Sequence, residues 1–175
     1  GKRLLDSGAG FGRLADLYSG YDEVILLDPA KSLLRQARER LGDRGFIYVA
    51  GNVYQLPLGD ASVDVALTIR VLHHLTDIPL AFREIRRVLR PKGRYILEYA
   101  NKRNLKAMLR YFVHRGVDPF SHEPYEFVPL NFDFHPAYVE RELLMAGFAP
   151  THQLSTSIFR LAILKRLIPV RLLAT

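Results

Sequence analysis

The chain of 175 residues is 49% hydrophobic and 25% charged, a composition that excludes a disordered or collagen-like protein. It contains no cysteine, which excludes disulfides, thiolate metal sites and cysteine nucleophiles. No apolar run is long enough to cross a membrane and no segment reads as a signal peptide, so we expect a cytoplasmic protein. The net charge of +7 suits a nucleic acid, an anionic lipid or an acidic substrate, and equally an ordinary basic surface.

Segments typical of strands and of helices alternate along the chain. The strand-like apolar runs are residues 3–5, 24–27, 46–49, 63–69 and 95–99. Helical patterns cover residues 31–41, 78–89 and 136–145, and a short helix is expected at 13–18. Because the strand-like runs are continuously apolar, the pattern predicts an α/β fold with a doubly wound, mostly parallel sheet and helices on both faces.

The two ends of the chain depart from this alternation. The first strand begins at residue 3, with no helix before it. At the other end we expect a sixth strand within residues 148–157 and a proline-broken helix at 160–173, after which the chain does not return to the sheet. The pattern therefore suggests a domain trimmed at both ends.

A glycine-rich turn follows the first strand, in the sequence Asp6-Ser7-Gly8-Ala9-Gly10-Phe11-Gly12. Glycines let the backbone approach a ligand closely, and a helix that follows presents unpaired N–H groups. A dinucleotide-binding turn has its third glycine one position later, where this chain has Arg13. The spacing therefore argues against a pyrophosphate ligand and against a hydride-transfer enzyme.

The segment from Leu4 to Gly12 resembles motif I of the class I S-adenosylmethionine-dependent methyltransferases. Four further blocks resemble the family in register: Leu27-Asp28-Pro29, Gly51-Asn52-Val53 through Leu58, Ser62-Val63-Asp64-Val65 with Leu72-His73-His74-Leu75, and Glu84-Ile85 through Arg94. They are most similar to the small-molecule branch that includes quinone and sterol methyltransferases. The resemblance implies a Rossmann-like fold and S-adenosyl-L-methionine as cofactor. It divides the single domain, residues 1–175, into a cofactor-binding core at 1–100 and a variable substrate-side region at 101–175.

The resemblance also assigns roles to residues of the core. The Asp28 carboxylate is expected to accept hydrogen bonds from both ribose hydroxyls, or alternatively to cap the next helix. Asp6 orders the turn near the cofactor's ammonium group, and Asn52, where the family usually has Asp, accepts from the adenine amino group. The residues expected to bind the cofactor are Asp6, Gly8, Gly10, Gly12, Asp28, Pro29, Asn52, Val53 and Arg70.

Three charged or titratable residues follow the fourth strand. Arg70 is expected to hold the cofactor's carboxylate or an anionic substrate, or else to be a surface arginine. His73 and His74 are candidate proton acceptors, because histidine titrates near neutral pH, or they only begin a helix. No spacing of His and carboxylate residues indicates a metal site. The catalytic residues stay unassigned, since methyl transfer from a sulfonium depends mainly on position and alignment.

The segment at residues 102–115 is basic and amphipathic, with five basic residues (Lys102, Arg103, Lys106, Arg110, Arg115) and no acid. We expect a helix that acts as a lid over the substrate, as a membrane-surface helix for a lipid-like acceptor, or as an RNA contact. The resemblance favours the lid. The aromatic-rich residues 119–127 and 132–134 suit a loop that lines an apolar pocket, or simple packing.

Three functions follow from these observations. The first is methyl transfer from S-adenosylmethionine to a small-molecule acceptor. The second is methylation of RNA or protein, which the net charge supports but no target-specific motif accompanies. The third is a cofactor-binding module without an acceptor site of its own. The oligomeric state is left open by the sequence.

Overall fold

A parallel β-sheet organises the chain. The computed structural model describes residues 1–102, 105–113 and 117–154. Within them the main sheet has five strands, all parallel, in the order β3-β2-β1-β4-β5. The strands are β1 (Arg3–Ser7), β2 (Glu23–Asp28), β3 (Phe46–Ala50), β4 (Val63–Ile69) and β5 (Leu89–Glu98). The doubly wound parallel sheet predicted from the apolar runs is confirmed.

Helices cover both faces of this sheet, because successive side chains of a strand point to opposite sides. Leu4 and Leu26 lie in one core with the α1 residue Leu34. Leu5 lies in the other core with the α2 residue Phe82. The helices are α1 (Lys31–Leu41), α2 (Ile78–Val88), α3 (Leu105–Phe112) and α4 (Pro136–Met145), of which α4 packs on the α2 face through Val139.

An antiparallel hairpin of β6 (Tyr125–Val128) and β7 (Asn131–Asp133) lies outside the main sheet. The chain that leaves β7 is tied to the chain that leaves β5: Phe134 donates its N–H to the Ala100 carbonyl at 3.3 Å, and Lys102 donates to the Phe134 carbonyl at 3.0 Å. The hairpin is therefore anchored at the carboxyl edge of the sheet. The sequence predicted only a loop over these residues.

The structure corrects two expected elements. The helix expected at residues 13–18 is reduced to a 3-10 turn, Ala15–Leu17, because the chain turns again at Ser19 and Gly20, before a second helical turn is completed. The strand expected from residue 148 is absent over residues 148–154; the apolar Phe148 is instead packed by its side chain on Tyr95, with 5.1 Å between ring centroids. Residues 155–157 and the helix expected at 160–173 lie outside the described residues.

The basic segment is also arranged differently from the single helix expected over residues 102–115. Helix α3 spans Leu105–Phe112, and Lys102 precedes it. Lys102 is only 5% exposed, so it adds nothing to a basic surface. Its backbone N–H is already committed to the Phe134 carbonyl, which holds this residue in the connection from β5 rather than in a helix.

A salt-bridged arginine fastens the loop between β3 and β4 to α2. The Arg87 guanidinium donates to the Glu84 and Asp60 carboxylates at 2.7–2.8 Å. It also donates to the carbonyls of Leu56 at 3.0 Å and Leu58 at 2.8 Å. Because this loop begins with Asn52, the arginine helps to place a residue expected to bind the cofactor.

We expect Arg87→Ala to lower the free energy of unfolding by about 1.5–3 kcal/mol, the range for hydrogen bonds to charged groups. The hydrogen bond from Arg87 is the main cause that lowers the pKa of Glu84 below its ordinary 4.5. The stabilisation is therefore complete above pH 4.5 and is lost as the pH falls through the folded-state pKa of Glu84. Urea denaturation at neutral and acidic pH measures both effects.

The control for this prediction is Arg83→Ala, on the same helix. Arg83 is exposed and should change the stability by less than about 0.5 kcal/mol, as usual for a surface substitution. Equal losses of stability in the two variants would contradict the proposed role of Arg87. So would a difference in the free energy of unfolding between wild type and Arg87→Ala that does not become smaller in acid.

Candidate functional site

Backbone hydrogen bonds hold the glycine-rich turn at the carboxyl ends of β1 and β2. Gly8 and Ala9 both donate their N–H groups to the Leu27 carbonyl, at 2.8 and 3.0 Å. The turn therefore lies against the end of β2. In this sheet β1 lies between β2 and β4, so the turn stands where successive connections diverge, the usual position of a ligand in such folds.

Asp28, at the end of β2, binds this turn through its side chain. The carboxylate is buried; one oxygen accepts the Gly10 N–H at 2.9 Å and the other accepts the Ala30 N–H at 2.8 Å. Each oxygen has two lone pairs, so each keeps one acceptor site for a ligand. The helix-capping alternative is not what the structure shows, because α1 has Ala30 as its N-cap and no side-chain cap hydrogen bond.

The three glycines of the turn differ in what surrounds them, although all have positive φ. A Cβ atom at Gly8 would overlap the Val71 side chain, and one at Gly12 would lie 2.8 Å from Leu41 Cδ1. At Gly10 a Cβ would meet nothing within 4 Å. Gly8 and Gly12 thus allow close packing against the chain after β4 and against α1. Val71 occupies the space where a side chain at Gly8 would lie, and of the three glycines only Gly10 has open space beside it.

Asp6 is a buried carboxylate beneath the same turn. It accepts a hydrogen bond from the Tyr18 hydroxyl at 2.6 Å. Burial raises the pKa of Asp6, the Tyr18 hydrogen bond opposes this shift, and the nearby charge of Asp28 adds to it. The contact joins β1 to the segment after the turn, which agrees with the loop-ordering role expected for Asp6.

The loop after β3 contributes the adenine-side residues expected from the sequence. Gly51 donates its N–H to the Asp28 main-chain carbonyl at 3.3 Å, which brings this loop beside the end of β2. Asn52 is exposed, and its Oδ1 accepts the Tyr54 N–H at 2.9 Å. The Val53 side chain is buried in the core and anchors the loop. Pro29, which follows Asp28, is exposed.

A second group of polar residues lies at the carboxyl ends of β4 and β5. Ile69, the last residue of β4, is in register with Glu98, the last residue of β5. One carboxylate oxygen of Glu98 is buried and has no hydrogen-bond partner among the described residues. Arg70 is exposed with a left-handed φ of 59°. His73 follows in the 3-10 turn Leu72–His74.

His73 lies in a mixed electrostatic environment. Its half-buried ring is 4.0 Å from that of His74, centroid to centroid. Burial lowers the pKa of His73 below its ordinary value; the charges of His74 and Arg70 act in the same direction, and the charge of Glu98 opposes them. His73 is therefore neutral at neutral pH and able to accept a proton.

The hairpin stands against this second group. His74 Nδ1 lies 3.4 Å from the Leu130 carbonyl oxygen, at the hairpin turn. Lys102 fastens the chain that leads into the hairpin, since its Nζ donates to the carbonyls of Ser121 at 3.2 Å and Glu123 at 2.9 Å. Burial lowers the pKa of Lys102. The hairpin thus forms a wall beside the histidines, opposite the glycine-rich turn along the sheet edge.

Four residues of the site were not predicted from the sequence: Tyr18, Val71, Glu98 and Lys102. Glu98 had a readable signal, because an acid directly follows the apolar run 95–97 at the edge of the sheet where ligands bind. The other three act through contacts between distant segments, which no local pattern indicates.

Across residues 1–102, 105–113 and 117–154, no three His, Asp or Glu side chains are grouped so that they could hold a metal ion. In the same ranges no helix combines the length and the apolarity needed to cross a bilayer.

Comparison with known proteins identifies the family. The profile described as "Methyltransferase domain" matches residues 5–97, more than half of the chain. The chain belongs to this methyltransferase family. It is a class I, S-adenosylmethionine-dependent methyltransferase domain, and the match contains the glycine-rich turn, Asp28, Asn52 and Arg70.

Two curated relatives show how far the similarity extends. The ubiquinone/menaquinone biosynthesis C-methyltransferase UbiE of Serratia proteamaculans is 38% identical over 109 residues, 57% of this chain and 43% of that protein. A malonyl-[acyl-carrier protein] O-methyltransferase of Serratia marcescens is 35% identical over 94 residues, 53% of this chain and 36% of that protein. The chain thus spans less than half the length of these relatives.

A solved structure supports the fold. An S-adenosylmethionine-dependent methyltransferase from Mesorhizobium loti superposes with a TM-score of 0.71, over 86% of this chain and 75% of that one, at 22% sequence identity. At this identity the likeness concerns the architecture alone, and it agrees with the Rossmann-like sheet described above.

The open space beside Gly10 leads to a first prediction on the site. Gly10→Ala and Gly42→Ala both place a side chain at positive φ with nothing within 4 Å, so each should cost about 1 kcal/mol of stability. Only Gly10→Ala should also weaken S-adenosylmethionine binding, by about tenfold or more (about 1.4 kcal/mol). Calorimetric titration measures the affinity, and equal affinity in both variants would mean that the donor does not lie over this turn.

The charges around His73 lead to a second prediction. Glu98→Gln removes the attraction that favours the protonated ring, so the pKa of His73 should fall further. Arg70→Gln removes a repulsion, so the pKa should rise. NMR titration of the histidine ring protons follows both, with His73→Gln used to assign the signal. Shifts in the same direction in both variants would contradict the described arrangement.

Proposed function

We propose that this domain transfers a methyl group from S-adenosylmethionine to a small, apolar acceptor of lipid-like character. The observation that carries the proposal is the environment of Asp28. Its buried carboxylate is oriented by two backbone N–H groups and keeps acceptor capacity beside the open space at Gly10. A carboxylate held in this way suits the two adjacent hydroxyls of a ribose.

The residues around Asp28 fit the rest of the donor. Asn52 and the backbone of Val53 would hold the adenine, next to the exposed ring of Pro29. Asp6 would lie towards the donor's ammonium group, with Gly8 and Gly12 shaping the turn through their packing. Arg70, which has no hydrogen bond or ion pair in the described part of the chain, would hold the donor's carboxylate. When bound, the donor supplies the electrophilic methyl group on a sulfonium.

The chain's own contribution to the reaction is position, exclusion of water and proton acceptance. His73, neutral at neutral pH because its pKa is lowered, would accept a proton from an acidic hydroxyl of the acceptor. Glu98, with its buried and unpartnered oxygen, would stabilise the imidazolium that forms. The ring of His74 faces the hairpin instead, because its Nδ1 is near the Leu130 carbonyl. We therefore propose that His74 positions the hairpin.

The acceptor class follows from the wall beside the histidines. The hairpin presents Phe127, Val128 and Leu130, all exposed apolar residues. These residues suit an apolar acceptor better than a nucleic acid, for which the net charge of +7 is the main support. The printed names of the relatives, a quinone C-methyltransferase and a methyltransferase of malonyl-acyl-carrier protein, agree with a small acceptor or acyl group.

The donor role of Asp28 is tested by substitution. Asp28→Ala should weaken S-adenosylmethionine binding by roughly 1.5–3 kcal/mol, and Asp28→Asn should lose less, because the amide retains one acceptor oxygen. The matched control is Asp16→Ala, an exposed carboxylate in the 3-10 turn after the glycines. Calorimetry at a temperature where all variants are folded gives the affinities. Wild-type affinity in Asp28→Ala would remove Asp28 from the ribose role.

The acceptor is tested by turnover of the donor. A dihydroxynaphthalene with an alkyl chain, a malonyl thioester and a short RNA are each incubated with the domain and labelled S-adenosylmethionine. We expect label on the dihydroxynaphthalene and none on the RNA; label on the malonyl thioester alone would contradict an apolar acceptor. Labelled RNA would support the nucleic-acid alternative. Donor binding without any transfer would support a cofactor-binding module.

A further inference from the structure

Helix α3 turns its apolar residues away from the protein. Leu109, Phe112 and Val113 are 55%, 69% and 64% exposed. Because their spacing is i, i+3 and i+4, they share one face, which we call the α3 stripe. Ala107 and Met108, one turn nearer the start of the helix, are half-buried. A surface helix normally buries its apolar face, whereas α3 exposes the α3 stripe together with Arg110.

Positive charge borders the α3 stripe. Arg110 is exposed and lies next to the stripe on the helix. The sequence from 102 to 115 contains no acid and adds Arg103, Lys106 and Arg115. An apolar helix face bordered by cations is the pattern of helices that lie in a membrane interface. Anionic headgroups complement the charge while acyl chains take the apolar side chains.

We propose that the α3 stripe is a docking surface for an anionic lipid bilayer. Leu109, Phe112 and Val113 enter the boundary between headgroups and acyl chains, and Arg110 contacts lipid phosphates. The proposal deepens the proposed function and rests on it for its purpose, since a bilayer is where an apolar acceptor accumulates.

The place of α3 in the fold fits this purpose. The helix follows β5, whose carboxyl end carries Glu98. Tyr111 packs on Phe120 with 5.9 Å between ring centroids. Phe120 directly precedes the segment whose carbonyls bind Lys102 and which leads into the hairpin. The bilayer contact and the wall beside the histidines therefore belong to one connected region at the carboxyl edge of the sheet.

Other occupants fit the α3 stripe less well. A second copy docked face to face pairs the same patch on both subunits, so it would bring together two surfaces that both carry Arg110. Like charges then repel. RNA binds mainly through its phosphates, and its backbone offers little to Leu109 and Val113.

The apolar half of the proposal is tested by vesicle sedimentation. The vesicles are phosphatidylcholine alone or mixed with phosphatidylglycerol. Leu109→Ser/Phe112→Ser should weaken binding to the anionic vesicles by about tenfold or more. The matched control is Leu144→Ser/Met145→Ser on α4, where the exposed fractions are similar, 55% and 76%. The control should bind as wild type.

The charged half is tested by Arg110→Glu, with Arg83→Glu on α2 as its control, an exposed arginine on another helix. Arg110→Glu should weaken binding to the anionic vesicles about fivefold or more, and added salt should weaken the wild type as well. Arg83→Glu should have a smaller effect. Circular dichroism checks that all variants are folded.

Several outcomes would overturn the proposal: no binding of the wild type to anionic vesicles, equal binding to both vesicle types, or equal effects of a test variant and its control. A concentration-dependent dimer in light scattering, lost in Leu109→Ser/Phe112→Ser, would assign the stripe to a second copy. Calorimetry with S-adenosylmethionine is run on every variant. Donor binding that persists without vesicle binding separates failure of this proposal from failure of the proposed function.

Discussion

The Asp28 carboxylate is the contact on which the geometry of the site depends. Three glycines with positive φ cannot continue a helix or a strand, so this turn lacks the repeating hydrogen bonds that stabilise its neighbours. The Leu27 carbonyl and one oxygen of Asp28 replace them, while the other oxygen of Asp28 accepts the Ala30 N–H and so orients the carboxylate. The Asp28 side chain therefore helps to set the path of the turn. It also keeps free lone pairs that can accept hydrogen bonds on the open side of the turn.

The sheet order explains why the glycine-rich turn and the turn that carries His73 meet at one edge. Because β1 lies between β2 and β4, the connections after β1 and β2 go to one face, and those after β3 and β4 go to the other. The glycine turn and the 3-10 turn after β4 are then neighbours, and Val71 fills the space above Gly8. This contact links the two halves of the site directly.

Much of the core was predictable, because its signals are local. The continuous apolar runs predicted the parallel sheet, and helical periodicity placed α1 and α4 at their observed bounds, with α2 ending one residue earlier than expected. The family resemblance placed Asp28 and the glycines at the same sheet edge. These elements are determined by burial patterns that repeat every two or every 3.6 residues.

The region after residue 100 was less predictable, because its arrangement depends on contacts between distant segments. Lys102 belongs to a basic, amphipathic stretch by sequence. It is nevertheless buried, because its ammonium group donates hydrogen bonds to two carbonyls of a later loop. The hairpin lacks an Asn-Gly turn, the sequence signal from which a hairpin is usually predicted. Pro129 and Leu130 form the turn instead. Phe148 is strand-like in sequence but packs on Tyr95.

The attachment of the hairpin has a consequence for how such a domain can change. Phe134 and the backbone of Lys102 join the two segments through main-chain groups, and Lys102 Nζ reaches the main-chain carbonyls of Ser121 and Glu123. No side chain of the hairpin takes part in these four hydrogen bonds. Side chains of the hairpin can therefore be exchanged while the wall stays in place, so the surface beside the histidines can diversify independently of the glycine-rich turn.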